Sequence, residues 1–134
     1  MVQTITSTTG VQKFAPIVTR LGMSAVFLWF GINQILFAAT FTAYLPDFLY
    51  NSPYAATLVI ANGVLEVVLG AFLALGIFTR IVAAILAIHL LAITIELGYG
   101  EIAVRDAGLV FATIAIALWG NDEWCLSKKT EKTK

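Results

Sequence analysis

Charge is what this sequence has least of. Only 12% of its 134 residues are Asp, Glu, Lys or Arg, and eight acids cancel eight bases; that is about half the charged share of an ordinary soluble domain. A globular chain must cover its outside with polar side chains, yet this one is 60% hydrophobic. The zero net charge supplies no basic face for a nucleic acid, and so apolar a composition excludes a disordered chain. Cysteine is nearly missing too: a single one leaves no internal disulfide and no multi-cysteine zinc or iron–sulfur site within the chain. One histidine rules out a bis-histidine haem, and one His with separated carboxylates predicts no metal site. What remains is a chain whose partner is the lipid bilayer.

Crossing roughly 30 Å of hydrocarbon at about 1.5 Å per residue takes near twenty apolar residues. Four runs qualify, at about 16–39, 55–77, 80–97 and 103–119. A cleaved signal peptide is the competing reading of the first run, but Phe37 and Phe41 spoil the small-residue cleavage sites it would need. The prediction is an all-α polytopic membrane protein, four helices in an antiparallel bundle. Lys13, Arg20, Arg80, Lys128, Lys129, Lys132 and Lys134 fall on one side and only Arg105 on the other, so both termini are expected in the cytoplasm and the chain in the plasma membrane. Tyr44, Tyr50, Tyr54 and Tyr99 mark the opposite interface, and Trp119 and Trp124 the cytoplasmic one.

Around the transmembrane domain, 16–120, a polar arm is expected at 1–15 and a lysine-rich tail at 121–134, with the arm and the stretch after Trp124 unfolded. The external connection 40–54, TFTAYLPDFLYNSPY, interleaves aromatics with one acid and two prolines and is placed in the headgroup layer. It reads as an aromatic belt, with a lid or docking surface as the alternative. Arg20 and Arg80, each followed by an external acid, Asp47 and Asp106, hint at a duplicated hairpin, although the positive-inside rule acting twice explains them equally.

A polar group in hydrocarbon needs a partner or a job. Asn62, Glu66 and Gly70 recur at four-residue spacing on one face of the second span, with Glu66 near mid-depth. His89 and Glu96 share a face of the third. Arg20, Ser24, Phe27, Gly31, Gln34 and Ala38 form a polar and small stripe on the first, from which Asn33 points away. These faces predict a polar seam of Glu66, Asn62, His89 and Gln34, with Arg20 as a further member; Arg20 or a protonated His89 reaching Glu66 would hold it as a carboxylate, and without a cation Glu66 would be a neutral hydrogen-bond donor. Glu66 and His89 are the candidate catalytic groups, since an acid and a His can pass protons to a quinone oxygen. Fixing the helix packing is the alternative role for both. Outside the membrane Glu96, Glu101, Arg105 and Asp106 cluster around the third loop, with Arg105 and Asp106 expected to begin the last helix. Cys125, just past the last span, has no neighbour that marks it as activated.

Arg20 opening the first helix, Gly31 in FGINQ, Glu66 followed by Gly70, the GIFTR turn at 76–80 and IAVRDAGL at 102–109 together resemble the DoxX-like family of small four-helix membrane proteins. Where members often carry Lys three residues after that first Gly, this chain has Gln34. The resemblance implies a four-helix bundle that is a small partner in membrane redox systems, quinone-linked sulfur oxidation and oxidative-stress complexes among them. It carries over to Arg20, Glu66, Arg80, Arg105 and Asp106. The leading expectation is an accessory membrane subunit of a larger redox complex, partnered by other subunits or by copies of itself, with no cofactor bound by this chain alone. The alternatives are a quinone-interacting subunit using Glu66 and His89, with quinone at an interface, and an oligomeric small-solute or proton transporter.

Overall fold

The computed structural model describes residues 10–127. Its elements are α1 (Phe14–Leu36), α2 (Ala38–Phe41), a 3-10 turn (Thr42–Tyr44), α3 (Asp47–Tyr50), α4 (Ala55–Leu75), α5 (Thr79–Glu96) and α6 (Glu101–Trp119), with no strand among the described residues. Helices α1, α4, α5 and α6 are each long and apolar enough to cross a membrane. Val18, Ile88, Phe111 and Leu118 point outward and are at least 66% exposed. Hydrocarbon makes such a surface favourable, since nothing among the described residues covers it.

The first span is shorter than its apolar run. The backbone leaves the helix at Phe37 (φ −129°, ψ 45°), whose N–H closes the last turn on the Asn33 carbonyl at 2.8 Å. Hydropathy continues unchanged across this break, so the sequence pattern runs through it. The last helix starts at Glu101, ahead of the expected Ala103. Glu101 is thus the acid of the first turn, while Asp106 lies inside the helix. Between α4 and α5 the chain turns sharply: Gly76 (φ +69°) donates to Leu73 and Ile77 to Phe72, a Schellman ending that needs a left-handed residue. Phe78 is also left-handed, at φ +49° without being glycine. Such a residue costs on the order of 1 kcal/mol, here in exchange for starting α5 at once.

Helix α1 packs chiefly on α4, and α5 on α6, with slighter contact between the two pairs. The α1–α4 crossing is set by glycine. A Cβ on Gly31 would lie 2.7 Å from the Gly63 carbonyl oxygen, and one on Gly63 equally close to that of Gly31. Small residues let two backbones meet in this way inside a membrane. Gly63→Leu is expected to lower the thermal midpoint in detergent by about 5 °C or more, the effect of overpacking by roughly 1–3 kcal/mol. Gly22 faces open space, so Gly22→Leu serves as the control. Equal midpoints for the two variants would remove the crossing from this description.

The core cluster of Met23, Phe27, Leu73, Val82, Ala83, Leu86 and Ile116 fills one half of the bundle. The other half, toward residues 37–54, is hollow. At the filled end, the expectation of an unfolded tail after Trp124 is corrected as far as residue 127: Cys125 is 0% exposed, and Asp122 just ahead of it 4%. The segment is held by the Ser127 hydroxyl donating to Gly76 O (2.6 Å), and Cys125 Sγ lies 3.5 Å from the Thr79 hydroxyl. A Cβ on Gly76 would sit 2.5 Å from that sulfur, so the glycine serves both the turn and the docking of Cys125. The lysines at 128, 129, 132 and 134, and residues 1–9 of the arm, lie outside the described residues.

Candidate functional site

Helix α4 sets Asn62 and Glu66 one turn apart on its buried face, and the glycine crossing brings Gln34 of α1 level with them. Helix α5 supplies His89. The four side chains form one closed network. Gln34 Nε2 donates to Glu66 Oε2 (3.1 Å), and Asn62 Nδ2 donates both to Gln34 Oε1 (2.7 Å) and to Glu66 Oε1 (3.0 Å). His89 Nε2 lies 3.2 Å from the same Glu66 Oε1. The Glu66 side chain is 5% exposed and that of His89 21%. A carboxyl group, an imidazole and two amides that satisfy one another in this way can be held inside hydrocarbon.

This network is the polar floor of a cavity of about 330 Å³, which also reaches down α1 beside it as far as Val26. Its walls are Val26, Phe27 and Phe30 of α1, Leu58 and Val59 of α4, Leu90, Ala92 and Ile93 of α5, and Ile102 and Leu109 of α6. Phe41, Tyr44, Leu45 and Pro46 roof it, so the connection expected in the headgroup layer also closes over an interior space. The Phe41 and Tyr44 rings stand together, 6.0 Å between centroids. At the rim are Glu96, Arg105 and Asp106. Arg105 donates through Nε and Nη2 to Asp106 Oδ1, 2.8 Å each, with its own side chain 58% exposed and that of Asp106 10%. Glu101 is exposed and outside the lining. Apolar walls with a few convergent polar groups at depth suit a small amphipathic ligand whose polar end reaches the floor.

Arg20 does not reach this floor. It lies about 21 Å further along α1 than Gln34. At 1% exposure it is clamped by Asp122, with Nε to Oδ2 at 2.6 Å and Nη2 to Oδ1 at 3.2 Å. Its Nη1 donates to the carbonyls of Leu73 (2.8 Å), which also accepts from the Gly76 N–H, and Ala74, both in the last turn of α4. The Trp124 N–H adds a third bond to Asp122 at 2.9 Å. Burial pushes the Asp122 carboxyl up, but the Arg20 hydrogen bond, the Trp124 N–H, the Arg20 charge and the Cys125 thiol outweigh it and hold its pKa below 3.8.

Asp122 is the residue that sequence reasoning missed, and a signal was present. An arginine inside a span needs an acid, and Asp122 and Glu123 are the acids just past the last span on the Arg20 side. Arg80 is also structural: its Nη2 donates to Trp119 O (3.4 Å), and a Cβ on Gly120 would strike its Nε. It caps the end of α6. Asn33 is satisfied within its own helix, donating to Trp29 O at 2.7 Å.

A family model described as DoxX matches residues 15–98. The matched stretch contains Arg20, Gln34, Asn62, Glu66, His89 and Glu96; α6 and Asp122 follow it. No curated protein and no solved structure matches the chain. With more than half of its length matched, the chain belongs to the DoxX family.

Proposed function

We propose that this membrane protein is a small integral subunit of a larger redox complex, and that it holds a quinone in the cavity above Glu66. The carrying observation is the cavity itself: apolar, half-roofed by aromatics, and floored by the Glu66, His89, Asn62 and Gln34 network. In this reading a quinone carbonyl accepts from an N–H of His89 or the second N–H of Gln34, and a quinol hydroxyl donates to the Glu66 carboxylate. Reduction adds two electrons and two protons to the ring. The electrons come from a redox-active partner subunit, and Glu66 and His89 deliver the protons. The family's association with membrane redox systems supports the same reading.

The spans run antiparallel, with the filled end cytoplasmic. Lys13, Arg20 and Arg80 gather there and Arg105 at the roofed end, which fits the positive-inside rule in a plasma membrane. Photo-crosslinking of the purified chain with a short-tail azidoquinone tests the proposal. Label is expected in the peptides holding Tyr44 and Ile93 and is expected to fall when unmodified quinone competes. Label spread over the lipid-facing residues, indifferent to competitor, contradicts it.

A further inference from the structure

We infer that protons and water reach the Glu66–His89 pair from the roofed end of the bundle only, passing Glu96 and the Arg105–Asp106 pair, and that the filled end is a permanent seal rather than a second gate. The inference rests on the reading of Glu66 and His89 as the proton-exchanging pair, and adds to it the side on which the protons are exchanged.

Two halves of the bundle differ in what they offer a proton. Toward the roof, the cavity rises from Glu66 past His89 to Glu96, Asp106 and the half-exposed Arg105. The floor groups themselves come from three helices: Gln34 on α1, Asn62 and Glu66 on α4, His89 on α5. The rim adds Glu96 from α5 and Arg105 and Asp106 from α6. Among the described residues, every ionisable group lining the cavity with Glu66 lies at its level or on the roofed side.

On α1 the cavity reaches down to Val26 and Phe27, and beyond that level the interior is filled. Met23, Leu73, Ala83 and Leu86 pack there, all 5% exposed or less. Among the described residues no buried side-chain nitrogen or oxygen lacks a partner, so this half has no spare polar group to seed a chain of waters. Ser24 and Thr113 are turned back onto their own helices, bonding Arg20 O and Leu109 O at 2.7 Å. Beneath that layer Arg20 spends its donors on Asp122 and the α4 carbonyls, and residues 121–127 close over the end. A second cavity, about 170 Å³, lies at this end between α1 and α6, but it shares no lining residue with the first. A transporter would have to open this seal; a site that exchanges protons with one compartment would not.

Thiol access in right-side-out and inside-out membrane vesicles tests the inference, with a membrane-impermeant trimethylammonium methanethiosulfonate as probe. The native Cys125 is buried, so the unmodified chain gives the baseline. Asn51→Cys, in the exposed connection, reports which vesicle face carries the roof. Ile93→Cys, and Ala92→Cys as a second wall position, are expected to label at least tenfold faster from the Asn51 face than from the other. Ser24→Cys is expected to label from neither. Labelling of Ser24→Cys from the opposite face, equal labelling of both wall variants from the two faces, or failure of both to label from either would overturn the inference. Protection of Ile93→Cys by a short-tail quinone reads the quinone proposal separately: one-sided labelling without protection keeps the access route and removes the quinone.

Discussion

Glu66→Gln is expected to lower the quinone-linked turnover of the membrane complex by about 100-fold or more, the usual contribution of a positioned proton donor, while the chain still inserts and assembles. Gln keeps the size of Glu66 but cannot carry a proton. It also brings an NH₂ to a place where Gln34 Nε2 and Asn62 Nδ2 already donate, and one of those amides can flip to accept. The network is therefore rearranged rather than broken, and assembly is expected to survive. Glu66→Ala is a different experiment, because it strips two amides of their acceptor in hydrocarbon and confounds chemistry with packing. Turnover unchanged in an assembled Glu66→Gln complex would leave the network only a role in packing the helices.

The second large effect is on stability, at the other end of the bundle. Asp122→Ala leaves the Arg20 guanidinium 1% exposed and without its carboxylate. Stranding one member of a buried ion pair costs about 3–5 kcal/mol, a large part of the stability of any small domain. The expected result is loss of most folded protein on extraction into detergent, or a thermal midpoint lower by about 10 °C or more. Combining Arg20→Met with Asp122→Leu is expected to restore much of it, since an apolar pair of similar volume often replaces an ion pair without loss. If Asp122→Ala alone is as stable as the parent, the clasp contributes nothing.

The same pair has a pH signature. Because the folded state holds the Asp122 pKa below 3.8, its contribution is complete above that value and is lost as pH falls through the lower, folded one. The stability difference between the parent and Asp122→Asn should thus be constant from neutral pH to about 4 and narrow below it.

The floor of the site was legible in the sequence because a helix turns residue spacing into a shared face. Four-residue steps put Asn62 and Glu66 together, and an acid at mid-depth in a span demands partners, which left Gln34 and His89 as candidates. Arg20 was misplaced by reading its stripe on α1 as one site. Its fourteen-residue distance from Gln34 is about 21 Å along a helix, too far for any side chain to share the Glu66 floor. The break at Phe37 was not legible, since it is a backbone event inside continuous apolarity. Nor was the roof. An aromatic segment such as 40–54 is equally at home in a headgroup layer or over a hollow, and only the packing of α1 and α4 against α5 and α6 leaves the hollow beneath it.

The claim at the centre of this account is contact between a quinone headgroup and the Glu66–His89 floor. Infrared spectroscopy of a short-tail quinone with ¹³C-labelled carbonyls, bound to the purified chain, measures that contact directly. The carbonyl stretch is expected to fall below its value in lipid and to return to it in the Glu66→Leu, His89→Leu double variant. A labelled quinone whose stretch in the unmodified protein equals that in lipid vesicles would contradict the account.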